Sequence, residues 1–248
     1  RGIQYGFYLQ TGGRADGRTG RSPLVALAER AAVVVTDFFP TFIVPRQIRG
    51  LRQKVETPVI AVDSCTLVPM RYHTREWPTA RGIRPRLLEA LPHYLHPIPD
   101  VPPAIRRAVE LPFEPVRPTG ATVPSLVAAC DIDHTVQASP AIRGGRRAAL
   151  ARLGAFLRSG LSRYAEDRGD PNVDATSRLS PYLHFGNVSI NEVLLAAREV
   201  ASPAQYEKFQ DEALTWRELA HNYVYLNPKH RTWAGVPAWA QQELANHA

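Results

Sequence analysis

Two stretches carry residue types that can do chemistry. Residues 164–186 read YAEDRGDPNVDATSRLSPYLHFG. A polar loop through Asp170 and Pro171 leads to Thr176, Ser177 and Ser180, and Pro181 then fixes φ for a helix start with Ser180 as its N-cap. A helix N-terminus has unpaired amides and the positive end of the dipole, so it can receive a phosphate. The hydroxyls of Thr176 and Ser177 would add hydrogen bonds there, and Arg178 would add charge. A Ser-Pro start can equally do no more than cap its helix, and the spacing leaves both readings open.

The second stretch is Leu214–Asn227, LTWRELAHNYVYLN. At helical spacing, Arg217, Glu218, His221, Asn222 and Tyr225 make a polar stripe beside an apolar one. Carboxylate, amide and aromatic groups on one helix can read the edges of a nucleobase and stack on its face. An ordinary solvated helix face has the same pattern. Asp37 and Asp63 each follow an apolar run. Open α/β sheets bind ligands beyond the carboxyl ends of their strands, but Asp also caps turns. Neither G-x-G-x-x-G nor G-x-x-x-x-G-K-[ST] occurs, which argues against a standard dinucleotide or P-loop site.

The elements needed to position these groups fall into two classes. Residues 3–9 alternate apolar and polar and predict a strand, followed by a Gly- and Arg-rich loop to Arg21. Pro23–Arg30 predicts a short helix capped by Ser22. Ala31–Thr36 and Pro58–Val62 predict strands buried on both faces, with a helix over Pro45–Val55 between them. Together these make a parallel βαβ unit with a right-handed crossover. Eight prolines between Pro97 and Pro124 predict an extended linker. From Arg143 the pattern is helical, with Leu150, Leu153, Phe156, Leu157 and Leu161 on one face. Ser189-x-x-Glu192 and Ser202-Pro203-x-Gln205 read as capping boxes. A helix opened by the second is expected to bury Leu214, Leu219 and Tyr223.

Composition narrows the setting. The 248 residues carry a net charge of +7, and all but three of the thirty basic residues are Arg. The planar guanidinium suits phosphate, so nucleic acid is a candidate partner, although a genome rich in Arg codons gives the same bias. No apolar run approaches the roughly 20 residues of a membrane span, which excludes an integral membrane protein of that kind. Cys65 and Cys130 are far apart, so neither a disulfide framework nor a Cys-based zinc site is expected, and no metal site is assigned. The expected placement is cytoplasmic, at the nucleoid if the source is bacterial. A chain that starts at Arg1 and has Met70 as its only methionine reads as part of a longer protein.

The run DATSRLSPYLHFGNVS closely resembles the flavin-binding segment of the DNA photolyase/cryptochrome family. RYAEDRGDPN before it and TWRELAHNYVYLNP after it are similar to class II cyclobutane-pyrimidine-dimer photolyases. VVVTDFFPTFIVPRQI, PVIAVDSCTLVP and ARGIRPRLLEALPHYL resemble the end of that family's N-terminal domain. Order and spacing agree over nearly the whole chain.

The resemblance implies an α/β N-terminal domain with a parallel sheet, incomplete here, followed by an all-α FAD-binding domain, also incomplete. The expected division is 1–96 for the antenna-type domain, 97–130 for the linker and 131–248 for the helical domain. It implies reduced FAD, an unidentified antenna chromophore, DNA containing pyrimidine dimers as substrate, and a monomer. The implied activity is light-driven dimer splitting by a deoxyribodipyrimidine photo-lyase. The alternatives are a cryptochrome-like photoreceptor and a DNA-binding remnant without flavin. Carried over by position, Glu218 is the catalytic residue that contacts the flipped dimer. Tyr164, Thr176, Ser177, Arg178, Leu179, Ser180, Arg217 and Asn222 bind the cofactor. Trp216 stands where class II members often have a second Arg. The residue facing flavin N5 and the electron-relay tryptophans are expected beyond Ala248. Trp77, Trp216, Trp233 and Trp239 are therefore expected to have no relay role, and most of them to be packing residues.

Overall fold

The computed structural model describes residues 3–11, 22–102, 104 and 107–247. Most of the expected Gly- and Arg-rich loop lies outside them. Two compact units emerge. One holds residues 1–36, 46–62 and 99–141, and the other residues 37–45, 63–98 and 142–248.

In the first unit, helix α1 (Pro23–Ala28) starts at Ser22 with Pro23 in its first turn, but the Ser22 side chain makes no cap bond. Strand β1 (Val34–Asp37), helix α2 (Val44–Arg52) and strand β2 (Val59–Val62) follow in order. The strands form a two-stranded parallel sheet, as the βαβ reading required. Val25, Ala28 and Leu51 are buried against Val34, Val55 and Val59.

Two expectations fail here. The strands are not buried on both faces, because Val35, Ile60 and Val62 are exposed. Among the described residues no second layer covers that face. Residues 3–9 form no strand either. Their partners come from the proline-rich segment: Val116 N donates to Phe7 O at 2.8 Å, and the Gln4 side chain exchanges hydrogen bonds with the Val109 backbone. Prolines there remove the donors that a continuous ladder needs.

The second unit is helical. Helix α3 (Ala80–Tyr94) is capped by Thr79, whose Oγ1 accepts from Gly82 N at 3.2 Å. Next come α4 (Arg146–Ala155), a π-helical turn at Phe156–Gly160, and α5 (Tyr164–Asp167). They are followed by α6 (Ser180–His184), α7 (Ile190–Val200) and α8 (Pro203–Gln210). A second π-helical stretch, Asp211–Trp216, joins α8 to α9 (Arg217–Leu226), and α10 (Ala238–Asn246) comes last. Ile83, Leu87 and Ala90 of α3 share one buried core with Leu153, Phe156, Leu194 and Leu214. Arg84 Nε pairs with Asp211 Oδ1 at 2.7 Å. Residues 63–98 therefore belong with the helices, and the boundary expected at residue 96 is not where compactness changes. Apolar burial of α3 outweighs sequence proximity to the sheet.

Local rules hold at several ends. Ser189 Oγ accepts from Glu192 N, and Glu192 also receives Arg146 in two hydrogen bonds. Ser202 Oγ accepts from Gln205 N, but the Gln205 side chain turns to Glu166 and Ala165 N instead of closing the box. Gly186, at φ 64°, ends α6. Its N–H donates to Leu183 O and Asn187 N donates to Tyr182 O, the two bonds of a Schellman motif. On α4 and the turns after it the expected face holds at Leu153, Phe156 and Leu161, which are buried, but not at Leu150. Leu150 is 39% exposed, while Ala149 and Leu153 are buried. Trp216, Trp233 and Trp239 are exposed, so none of these three is the packing residue expected.

Leu153→Ala should lower unfolding free energy by about 2–5 kcal/mol, and Leu150→Ala by under about 1 kcal/mol. Urea denaturation of the two variants checks which face of α4 is buried. Equal losses would put Leu150 in the core, as read from the sequence.

Candidate functional site

Within the helical unit lies a cavity of about 1060 Å³. That is at the large end of the range for ligand pockets, roughly 300–1,000 Å³. Tyr164, Thr176, Ser177, Arg178, Leu179, Ser180 and Arg217 all line it. Seven of the nine residues predicted from sequence therefore meet around one space. Ile190, Val193 and Phe209 add apolar wall, and Asp37, Ser64, Cys65, Glu212 and His221 add polar groups.

The 176–180 run is held from behind. Arg152 donates from Nε to Ser177 O at 2.9 Å and from Nη2 to Thr176 O at 3.1 Å. Leu179 N donates to Ser177 Oγ. Arg178 takes a left-handed backbone, φ 54°, and its Nε pairs with Asp174 Oδ1 at 3.0 Å. Phe42, at φ 63°, also lines the cavity. Among the described residues these are the only non-glycine residues with positive φ, and both sit on this wall. Such strain costs of order 1 kcal/mol and persists where the surroundings over-determine it. The N-cap of α6 is Leu179, with Ser180 as the first helical residue, so the expected Ser180 cap moves by one position. Pro181 tolerates the second helical position as well as the first, which is what the Ser-Pro reading overlooked.

Tyr164 packs edge-on against Phe156 and Phe209, with centroids 5.7 and 5.2 Å away. Burial pushes its hydroxyl up to about 12, so it stays a protonated donor. Burial lowers the Arg217 pKa, and its Nη1 is buried without a partner. The His221 Nδ1 lies 2.9 Å from Arg217 O. A carbonyl can only accept, so Nδ1 carries the proton and Nε2 is left as an acceptor. Burial also holds His221 towards its neutral form. Glu212 Oε1 is paired with Arg168 Nε at 3.2 Å and Lys208 Nζ at 3.0 Å.

Glu218 and Asn222 are elsewhere. Glu218 is 3% exposed and is not on the cavity wall. Its Oε1 accepts from Leu67 N at 2.5 Å and Val68 N at 3.2 Å. Asn222 is 1% exposed; its Oδ1 accepts from Trp77 N at 2.8 Å and its Nδ2 donates to Arg75 O at 3.2 Å. Both side chains are committed to backbone, so neither the catalytic reading of Glu218 nor the cofactor reading of Asn222 fits this geometry. Besides Asp37, the cavity carries the carboxylate of Glu212, which sequence reasoning missed. It stands five residues before Arg217, off an α-helical stripe, and only the π-helical stretch brings it round. His221 was in the predicted stripe without a role. Of the two strand-end aspartates, Asp63 is a turn cap: it accepts from Cys65 N, Thr66 N, Thr66 Oγ1 and Met70 N. Asp37 accepts from Ser64 Oγ at 2.7 Å and lines the cavity. No group of three or more potential metal ligands occurs among the described residues.

Comparison with known proteins gives the family. A deoxyribodipyrimidine photo-lyase from Potorous tridactylus is 30% identical over 223 residues, covering 87% of this chain and 40% of that protein. One from Oryza sativa subsp. japonica is 30% identical over 262 residues, 98% of this chain and 48% of that protein. The chain belongs to the DNA photolyase/cryptochrome family. It spans about half the length of the curated relatives it matches. A bacterial class III photolyase from Agrobacterium tumefaciens shares the fold, with a TM-score of 0.58 at 20% identity over 83% of this chain and 43% of that one. No family model matches the chain. Among the described residues of this photolyase-family chain, no helix is long and apolar enough to cross a membrane.

Burial pushes the Glu218 carboxyl up to about 8, against two backbone hydrogen bonds and Arg217, which pull it down; nearby Asp63 adds to the rise. The folded state therefore keeps a proton that the unfolded chain loses near 4.5. Its contribution to stability is complete below pH 4.5 and is lost as pH rises to about 8. Glu218→Gln cannot titrate. The stability difference between wild type and this variant should drift by more than about 1 kcal/mol over that window, wild type losing ground as pH rises. Thermal melts at half-unit pH steps measure it, and a flat difference would mean the carboxyl is already ionised when folded.

Proposed function

We propose that the protein carrying this chain repairs cyclobutane pyrimidine dimers in DNA by light-driven electron transfer from reduced FAD, as a class II-like photolyase. The observation that supports it is the meeting of Tyr164, Thr176–Ser180 and Arg217 around one cavity of ligand size. The residues fit a flavin nucleotide. The unpartnered Arg217 Nη1 offers a charged donor, the 176–180 turn offers hydroxyls and amides, and Leu179, Ile190, Val193 and Phe209 offer an apolar seat. When bound, reduced and lit, the flavin supplies the electron that opens the cyclobutane ring, and it recovers that electron afterwards.

The chain's own residues orient and polarise. Arg217 donates to the cofactor, and Tyr164, kept protonated, remains a neutral donor in the wall. The role expected of Glu218 passes to Glu212: its carboxylate accepts hydrogen bonds from the imide N–H edge of a flipped dimer while Arg168 and Lys208 fix its place. The dimer leaves the stack first, because its reactive bond is out of reach inside the duplex. The arginines supply phosphate contacts. An antenna-type role for the first unit and a flavin role for the second belong to this proposal.

Arg217→Met with Ser180→Ala should reduce flavin occupancy about tenfold or more, since one charge-assisted hydrogen bond is worth roughly 1.5–3 kcal/mol. Absorbance of the purified protein reads this directly, and unchanged occupancy would reject the site. Glu212→Gln should keep flavin and slow dimer loss under blue light, by about tenfold for each 1.4 kcal/mol of lost stabilisation. Glu218→Gln should leave repair near wild type. Flavin without any dimer loss would point to the photoreceptor reading. DNA affinity should fall with salt at a slope near −0.9 per neutralised phosphate.

A further inference from the structure

Residues 63–77 contain little regular structure, only a 3₁₀ turn at Met70–Tyr72. Asp63 ties the first half to itself through Cys65, Thr66 and Met70. Those bonds shape the segment but do not attach it to anything. Its polar attachments to α9 come from two side chains one turn apart. Glu218 receives the amides of Leu67 and Val68, and Asn222 both receives Trp77 N and donates to Arg75 O. The Asn222 amide thus presents the acceptor and donor of a strand edge. At the near end of the segment Ser64 and Cys65 reach the cavity wall, where Arg217, the neighbour of Glu218, also stands.

We propose that Glu218 and Asn222 are positioning residues that clamp residues 67–77 to α9 and so fix where Ser64 and Cys65 stand on the cavity wall. The clamp is independent of what the cavity holds. What matters at Glu218 is an acceptor: Oε1 receives both amides, and Val68 N also reaches Oε2 at 3.3 Å. Gln supplies the same oxygen, whereas Ala supplies none.

Cys65 is a built-in probe. Its thiol is half-buried, with Sγ 3.6 Å from Phe38 O. In a Cys130→Ser background, a thiol reagent at pH 7 reports how often this wall opens. Glu218→Ala and Asn222→Ala should each raise the labelling rate at least about tenfold with helical circular dichroism unchanged. Glu218→Gln should label within about twofold of the parent. Leu153→Ala, which destabilises the same core at a distance in sequence, should lower the melting temperature without that rise. Should the Ala variants fail to fold, hydrogen exchange on the unmutated chain decides. The Leu67, Val68 and Trp77 amides should exchange at least about a hundredfold more slowly than in an unstructured peptide. Ala variants that label like the parent, a Gln variant that labels like Ala, or fast exchange at those amides would each overturn the proposal.

Discussion

Adjacent residues on one helix face opposite duties, and the site depends on that division. On α9, Arg217 and His221 turn to the cavity, while Glu218 and Asn222 turn to the 67–77 segment. Each pair is separated by four residues, one helical turn, so each keeps to one side. The π-helical stretch Asp211–Trp216 then sets what precedes them. A turn closed by i→i+5 bonds brings Glu212 to the side of Arg217, which an α-helical turn would not do. One widened turn therefore adds a carboxylate to a wall that already carries a guanidinium.

Burial governs how these groups behave. Arg217 gives up solvent and retains an unspent donor; Tyr164 is held protonated; His221 is held towards neutrality. Glu218 meets the same loss of water with two amides on one oxygen, yet desolvation still prevails. The positive φ values of Phe42 and Arg178 add backbone cost on the same wall. A mainly apolar cavity with a few polar groups, strained edges and buried titratable side chains is what a binding site requires and a packing core avoids.

Much of this was legible in residue order. The TSRLS run with Tyr164 lies where it was expected to gather, and Ser189 caps its helix as the S-x-x-E pattern predicts. The failures share a cause: each needed a partner that local pattern does not reveal. Residues 3–9 alternate like a strand, but their neighbour is a proline-rich segment unable to sustain a ladder. Ala31–Thr36 is apolar enough for a doubly covered strand, but no layer among the described residues covers Val35. Glu218 and Asn222 were assigned to the site from the resemblance, and the polar stripe they share identifies a face but not what faces it. Glu212 was missed because a period of 3.6 does not carry across a π-helical turn. Helix α3 was read with the sheet it follows, whereas its apolar face is buried with helices far along the chain.

The tryptophans have a consequence for spectroscopy. Three of the four, Trp216, Trp233 and Trp239, are 51%, 57% and 76% exposed. Their emission already reports water in the native state and changes little on unfolding. Trp77 differs. It is partly buried, with the Arg75 guanidinium 3.9 Å from its ring centroid and its backbone held by Asn222. A cation that close perturbs the excited indole and is removed when the segment detaches. Total fluorescence of this protein is therefore a poor gauge of global unfolding. The small blue-edge component from Trp77 instead follows one segment and its attachment to one helix.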